Sequence, residues 1–317
     1  MAYCCLERHR GEKVTAFHLH REDTGAFILA CSCASDMEGP FKFHTLTDSH
    51  LRRMEDIPSA ADSAVYLGMM EINFLGTEFV VRDHRWDDPS GTRFSHELGL
   101  TVYETNVSGR APNSMKVVVP RLHADQITAD NAPDLSLSDR FAKVNTTRVR
   151  GGKLKRWFPK TAAFVARRRG SAADAPLRIA ASTPTAGPGA INRSFSNIKR
   201  SDAEDDEDAQ EYCALEGDEM LDMTVFHTKK PVWNDELHAW TLNFNGRAKR
   251  ASKKNFLLTP PVEGSKEGTT TKDDGRVYLR FGKMSKARFS LDFRDPFSPL
   301  VALGVAITTF AKKRAVT

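Results

Sequence analysis

The sequence predicts a mainly β fold in which an antiparallel sheet wraps around a single C-terminal helix. Three observations predict it. Short β-branched and aromatic runs, punctuated by Gly, Asp and Pro, fill the first 120 residues and resume after residue 212. The segment Leu300-Val-Ala-Leu-Gly-Val-Ala-Ile-Thr-Thr-Phe310, wound as a helix, is apolar on nearly every side. Such a helix cannot lie on a surface, and one enclosed helix after many strands calls for a sheet around it. A helix set into an ordinary α+β core is the alternative that these observations leave open.

The strands follow in order. Ala16-Phe-His-Leu-His20 alternates apolar and polar, as does the end of Ala26-Phe-Ile-Leu-Ala-Cys-Ser-Cys33. Ile72 to Val81 is β-branched and aromatic around Gly76, and Met115-Lys-Val-Val-Val-Pro120 stops at its proline. Farther on, Trp240, Leu242 and Phe244 alternate with Thr241, Asn243 and Asn245. Val277, Leu279 and Phe281 alternate likewise, and so do Phe289, Leu291 and Phe293. Each pattern predicts a strand with one face inward. Asp295-Pro-Phe-Ser-Pro299 stops the last strand and starts the helix, with Ser298 as N-cap and Pro299 at the first helical position. The helix is predicted over 299–311, with Lys312-Lys-Arg314 suited to its negative end.

Between the strand-rich parts the composition changes. Eleven Lys or Arg and no Asp or Glu fall from Arg140 to Arg169. A Ser/Ala/Pro/Gly/Thr stretch follows, then the acidic run Asp202 to Asp208. Blocks of like charge repel and rarely pack. The expected organisation is therefore a strand-rich part over 1–129, a largely disordered insertion over 130–212, and a second strand-rich part with the helix over 213–317.

The 317 residues carry a net charge of +5, which permits anionic partners without demanding them. No apolar h-region opens the chain, and its longest apolar run, Pro299 to Ile307, is too short for a membrane-spanning helix. No lipidation signal is visible, and five cysteines without a secretory signal suit free thiols. The sequons at Asn106 and Asn192 then carry no weight. The expectation is a cytoplasmic protein with at most peripheral membrane contact.

Few residues suggest chemistry. His18 with His20 and Cys31 with Cys33 sit at i, i+2 spacing on neighbouring strands, so a zinc site is geometrically conceivable. The usual spacing of structural zinc ligands is absent. His96-Glu97 lacks the second His of a metalloprotease helix, and no nucleophile elbow, P-loop or dinucleotide turn appears. No catalytic residue, metal or cofactor is expected. In the insertion, Lys153, Lys155 and Arg156 stand beside Trp157 and Phe158, a combination that suits an anionic membrane surface. A solvated linker and a nucleic-acid or nuclear-import segment are the competing readings, with nucleic acid the weaker.

Several stretches together resemble the tubby C-terminal domain. Pro231-Val-Trp-Asn-Asp235, Leu242-Asn-Phe-Asn-Gly-Arg247 and Ala251-Ser-Lys-Lys-Asn-Phe256 are similar to the family signature. Asn73 to Phe79, Tyr103 to Val107, Met115 to Pro120 and Asp292 to Leu300 look like further family segments, in family order. The resemblance implies a closed twelve-stranded antiparallel barrel around the C-terminal helix, with Gly76 and Gly246 at barrel corners. It implies a binding or adaptor module at the cytoplasmic face of membranes that grips a phosphoinositide head group through convergent basic side chains. Membrane-protein or trafficking partners are implied too, at the plasma membrane, with nucleus and cilium as further locations. The expected basic strand is missing, however, since Ala30 to Glu38 carries no positive charge and Glu71 stands where the family has Arg. The nearest replacements are Lys42, Arg52 and Arg53. Arg247, Lys249 and Lys254 form a denser cluster on the signature hairpin, where Arg247 and Lys254 suit a structural role. On this basis the barrel should bind soluble inositol phosphates poorly. A protein-binding scaffold without lipid affinity and a nucleic-acid-associated protein stand as alternatives.

Overall fold

Twelve antiparallel strands close on themselves around a central helix. The computed structural model describes residues 1–47, 53–57, 63–86, 93–104, 114–121, 135–147, 223–235, 239–260 and 277–314. The strands are β1 (Ala2–Arg10), β2 (Val14–Arg21), β3 (Phe27–Ala34), β4 (Phe41–His44), β5 (Tyr66–Ile72), β6 (Glu78–Asp83), β7 (Glu97–Tyr103), β8 (Met115–Pro120) and β9 (Met223–Thr228). β10 (Val232–Asn234) and β11 (Ala239–Thr241) form a separate ribbon. β12 (Phe256–Thr259), β13 (Leu279–Lys283) and β14 (Arg288–Phe293) complete the barrel, where β14 pairs with β1. The neighbours run β1, β14, β13, β12, β9 and then down through β8 to β2.

Helix α2 (Pro299–Thr308) fills the lumen. Ser298 caps it by accepting a hydrogen bond from the Val301 N–H, and Pro299 opens its first turn, as predicted. Every residue from Val301 to Thr308 is buried. Around it stand Phe17, Phe43, Phe79, Phe226, Phe281 and Leu291, each on the inward phase of its strand. The helix is one turn shorter than the predicted 299–311, and the chain then turns through Phe310 and Ala311.

Strand register overturns the zinc geometry. Phe17 pairs with Cys31 and Thr15 with Cys33, which puts both thiols on the inner face beside Phe17. His18 pairs with Ala30 and lies on the outer face, so the His and Cys pairs face opposite ways. Burial pushes the Cys33 thiol up to about 12 and the Cys31 thiol well above its usual range.

Two other expectations shift. The alternation from Trp240 to Asn245 is not a barrel strand. Only Ala239–Thr241 pairs, with Val232–Asn234, and a turn with Asn245 at φ 48° and Gly246 at φ 76° follows. Gly76, at φ 72°, likewise sits in the β5–β6 turn rather than in a strand, and a Cβ there would lie 2.7 Å from the Lys312 carbonyl oxygen. The segment 312–314 crosses that turn as a strap. Lys312 N–H donates to Met37 O and Arg314 N–H to Leu75 O, both at 3.0 Å.

The expected insertion boundary at 130 also moves. Helix α1 (Leu137–Thr147) lies inside the segment 130–212 and packs on the outside of β7 and β8. Leu137 and Phe141, one helical turn apart, join Leu100, Val118 and Met223 in a second apolar cluster. The Leu137 N–H donates to Glu97 Oε2 at 2.6 Å, and the Ser138 hydroxyl donates to Glu78. The compact unit comprises Met1–Gly152 and Ala214–Thr317. The remainder of the expected insertion lies outside the described residues.

This packing gives a first prediction. Phe141→Ala should destabilise the protein by about 3 kcal/mol, the lower end for a buried Phe, because the cluster is small. Removing 153–213 behind a short Gly/Ser bridge, which spares α1, should leave the urea midpoint nearly unchanged. A deletion beginning at 130 should lower it by at least as much as Phe141→Ala. Equal midpoints for the two deletions would show that α1 adds nothing to the barrel.

Candidate anion-binding surfaces

The resemblance places a head group beside Cys31 to Glu38, which continue from β3, and Glu71 on β5, with Lys42 on β4 among the nearest replacements. Lys42, on β4, points outward but is already engaged. Its ammonium donates to the carbonyls of Met54 at 3.3 Å and Ile57 at 3.1 Å, holding the short 3₁₀ turn Met54–Asp56 against the sheet. Arg53 precedes that turn and is exposed, and its N–H donates to Asp56 Oδ2. The fold thus brings Lys42 and Arg53 to one loop, while Arg52 lies outside the described residues. Glu71 is paired rather than open. Arg82, one strand over, forms ion pairs with Glu71 and with Glu97, the latter at 3.1 Å, and stacks its guanidinium 5.0 Å from the Trp86 ring. Glu97 also receives the first N–H of α1. Lys42 and Arg82 therefore serve the fold, while Arg53 is exposed.

On the signature hairpin, Arg247 makes two parallel hydrogen bonds to Asp292, at 2.8 and 2.6 Å, and a further ion pair with Glu22. Its ring neighbour is Tyr3, at 5.4 Å. These carboxylates raise the Arg247 pKa well above its usual value. Burial raises the Asp292 carboxyl, while Arg247 draws it down. Lys254 turns inward at the end of α2, donating to Thr309 O at 2.7 Å. Lys249 is exposed and borders a cleft of about 470 Å³ that also holds Cys5, Arg21 and Arg288. There Arg288 is paired with Glu7, and Arg21 with Asp23. The hairpin separates these three residues, with Arg247 and Lys254 structural and Lys249 alone open to solvent.

At the barrel end where α2 stops, the sequence pointed only to Lys312-Lys-Arg314 beside the helix terminus. Lys254 Nζ stands 4.7 Å from the Phe310 ring centre and the Arg8 guanidinium 5.5 Å from it. Lys313 donates to the carbonyls of Thr308 and Ala311 and sits 4.4 Å from the Tyr103 ring. Burial, then Lys254, lowers the Lys313 pKa to about 7. Burial also lowers Lys254, and Arg8, Lys283 and Arg10 add to that shift. The strand ends supply these cations: Arg10 closes β1, Lys283 closes β13, and Lys254 precedes β12. Lys254 and Lys313 stand out in the sequence only separately, and Arg8, Arg10 and Lys283 not at all, because the residues come from four distant stretches. Lys153, Lys155, Arg156, Trp157 and Phe158 lie outside the described residues.

Among the described residues, no cluster of three His, Cys, Asp or Glu could hold a metal ion, and no helix is long and apolar enough to cross a membrane. The sequence model of the Tub family matches residues 1–312. Tubby-like F-box protein 9 of Arabidopsis thaliana is 27% identical over 323 residues, covering 99% of this chain and 72% of the relative. Protein king tubby 2 of Culex quinquefasciatus is 26% identical, covering 82% of this chain and 42% of the relative. Tubby-related protein 1 of Homo sapiens is 25% identical over 260 residues, covering 79% of this chain and 32% of the relative. The chain thus spans most of the plant protein but less than half of the two animal ones.

Proposed function

The chain belongs to the Tub family, and from that premise we propose that it is a non-enzymatic binding and adaptor module working at the cytoplasmic face of membranes through charge attraction rather than through a head-group pocket on β4 to β6. The observation that carries this reading is the engagement of Lys42 and Arg82 by groups of the protein itself. A phosphate entering there would have to displace carbonyl and carboxylate partners already in place. The attraction is instead assigned to Lys153, Lys155 and Arg156, with Trp157 and Phe158 reaching the interface. Each such cation contributes about 1 kcal/mol near an anionic leaflet.

Sedimentation of the full chain with phosphatidylserine vesicles tests this. Binding is expected at low salt and should fall steeply toward physiological ionic strength. Substituting Lys153→Gln, Lys155→Gln and Arg156→Gln together should remove about 3 kcal/mol, on the order of a hundredfold in affinity. Equal sedimentation of this variant and the parent protein would overturn the assignment. Absence of vesicle binding in both would favour a protein-binding scaffold.

A further inference from the structure

We propose that Cys5, in the cleft beside the β1–β14 seam, is a site of reversible mixed-disulfide formation with a small peptide disulfide of the glutathione class. The site takes in no residue of the insertion and stands independently of the function proposed above.

The first support is access. Strand alternation turns Cys4 into the lumen and Cys5, the next residue, out to the cleft. Cys4, Cys31 and Cys33 are buried, and Cys5 alone among the described thiols is half-buried. Burial, then Asp292, pushes the Cys4 thiol up to about 11. With Cys31 and Cys33 also raised, the inner thiols stay protonated and unreactive at neutral pH.

The second support is what surrounds the sulfur. Arg288, across the seam on β14, donates from Nη2 to Cys5 Sγ at 3.5 Å. Glu7 holds that guanidinium in place through Nε at 3.2 Å. The thiolate is the attacking form, and a donated guanidinium N–H stabilises it. His20 is the cross-strand partner of Cys5 on β2 and lines the same cleft, as a second polar neighbour. The cleft, at about 470 Å³, has the size of a small-molecule site. Its border carries both signs of charge. Lys249 has no ion-pair partner among the described residues, and Glu7 and Glu22 stand on the same rim. A zwitterionic peptide suits this border, with a carboxylate on Lys249 and its ammonium toward the glutamates, whereas Glu7 and Glu22 repel a polyanion. In the reaction the Cys5 thiolate attacks one sulfur of the peptide disulfide. The new S–S bond forms as the old one breaks, and the released peptide leaves as a thiolate that takes up the proton Cys5 gave up. Cys5 is oxidised and the peptide disulfide supplies the oxidising equivalent.

Incubating the full chain with glutathione disulfide at neutral pH, followed by mass spectrometry and peptide mapping, tests the site. One glutathione should appear on the Cys5 peptide and be removed by dithiothreitol, while the Cys213 peptide is read separately. Arg288→Gln should slow the modification roughly fivefold, the factor carried by one ordinary hydrogen bond. Arg288→Lys, which keeps the charge, should recover part of that loss, and Arg85→Gln, across the barrel after β6, should change nothing. Thermal melting checks that each variant folds. Lys249→Gln should slow the reaction of glutathione disulfide roughly threefold, the scale of one exposed ion pair, and leave that of uncharged hydroxyethyl disulfide unchanged. That comparison is a ratio within one protein, so a change in stability does not enter it. An unmodified Cys5, an Arg288→Gln variant reacting at the parent rate, or a Lys249→Gln variant that treats the two disulfides as the parent does would each overturn the proposal.

Discussion

Ala306→Asp should abolish folding at room temperature or reduce it to a partly structured state. Ala306 is fully buried in α2, within the apolar cluster that fills the lumen. An unpaired charge in that lumen costs on the order of 5 kcal/mol, comparable with the whole stability of a typical domain. Ala306→Ser at the same site is smaller in its effect, because a hydroxyl can return its hydrogen bond to the helix carbonyl one turn back. Urea unfolding followed by near-ultraviolet circular dichroism would measure both. A cooperatively folding Asp variant with the parent midpoint would mean that the helix is not enclosed.

Arg247→Ala should cost about 3–5 kcal/mol, because it strands the fully buried Asp292 carboxylate without its two hydrogen bonds. Arg247→Lys should lose less, since an ammonium keeps the charge but cannot reproduce the paired geometry. Replacing both members, with Arg247→Met and Asp292→Leu, should recover much of the loss, because the penalty arises from the unpaired charge. The full set forms a double-mutant cycle read by denaturant unfolding. Additive losses in the cycle would show that Arg247 and Asp292 are not energetically coupled.

The legibility of the fold divided along a physical line. Signals confined to neighbouring residues could be read. Ser298-Pro299 marked the start of α2, and the absence of a polar face from Leu300 to Ile307 marked its enclosure. Signals that depend on register could not. The His18 and Cys31 pairs looked compatible because each is locally regular, but which face each takes is set by Phe17 pairing with Cys31. Glu71 looked like a bare negative charge because its partner, Arg82, is brought beside it only by the β5–β6 pairing. Composition hid α1, since Leu137 and Phe141 sit at the head of a strongly basic stretch. Three alternating residues at Trp240, Leu242 and Phe244 were too few to separate a strand from a ribbon followed by a turn. For the candidate site, cationic residues could be found by type, but not whether a carbonyl, a carboxylate or solvent receives them. The Phe310 cluster needed the closed barrel before it could be seen.

The β1–β14 seam has a consequence for how the chain is made. β1 leaves the ribosome long before its partner on one side, residues 288–293, is made. Until then the free edge of Ala2–Arg10 stays open, and the lumen that α2 will fill has nothing inside it. Local hairpins can form during synthesis, but closure has to wait until residues 288–293 have been made. Nascent molecules should therefore depend on chaperones for longer than a protein whose contacts are local. A stalled or truncated product lacking the residues from Arg288 onward, which hold both β14 and α2, should behave as an aggregation-prone open sheet rather than as a smaller barrel.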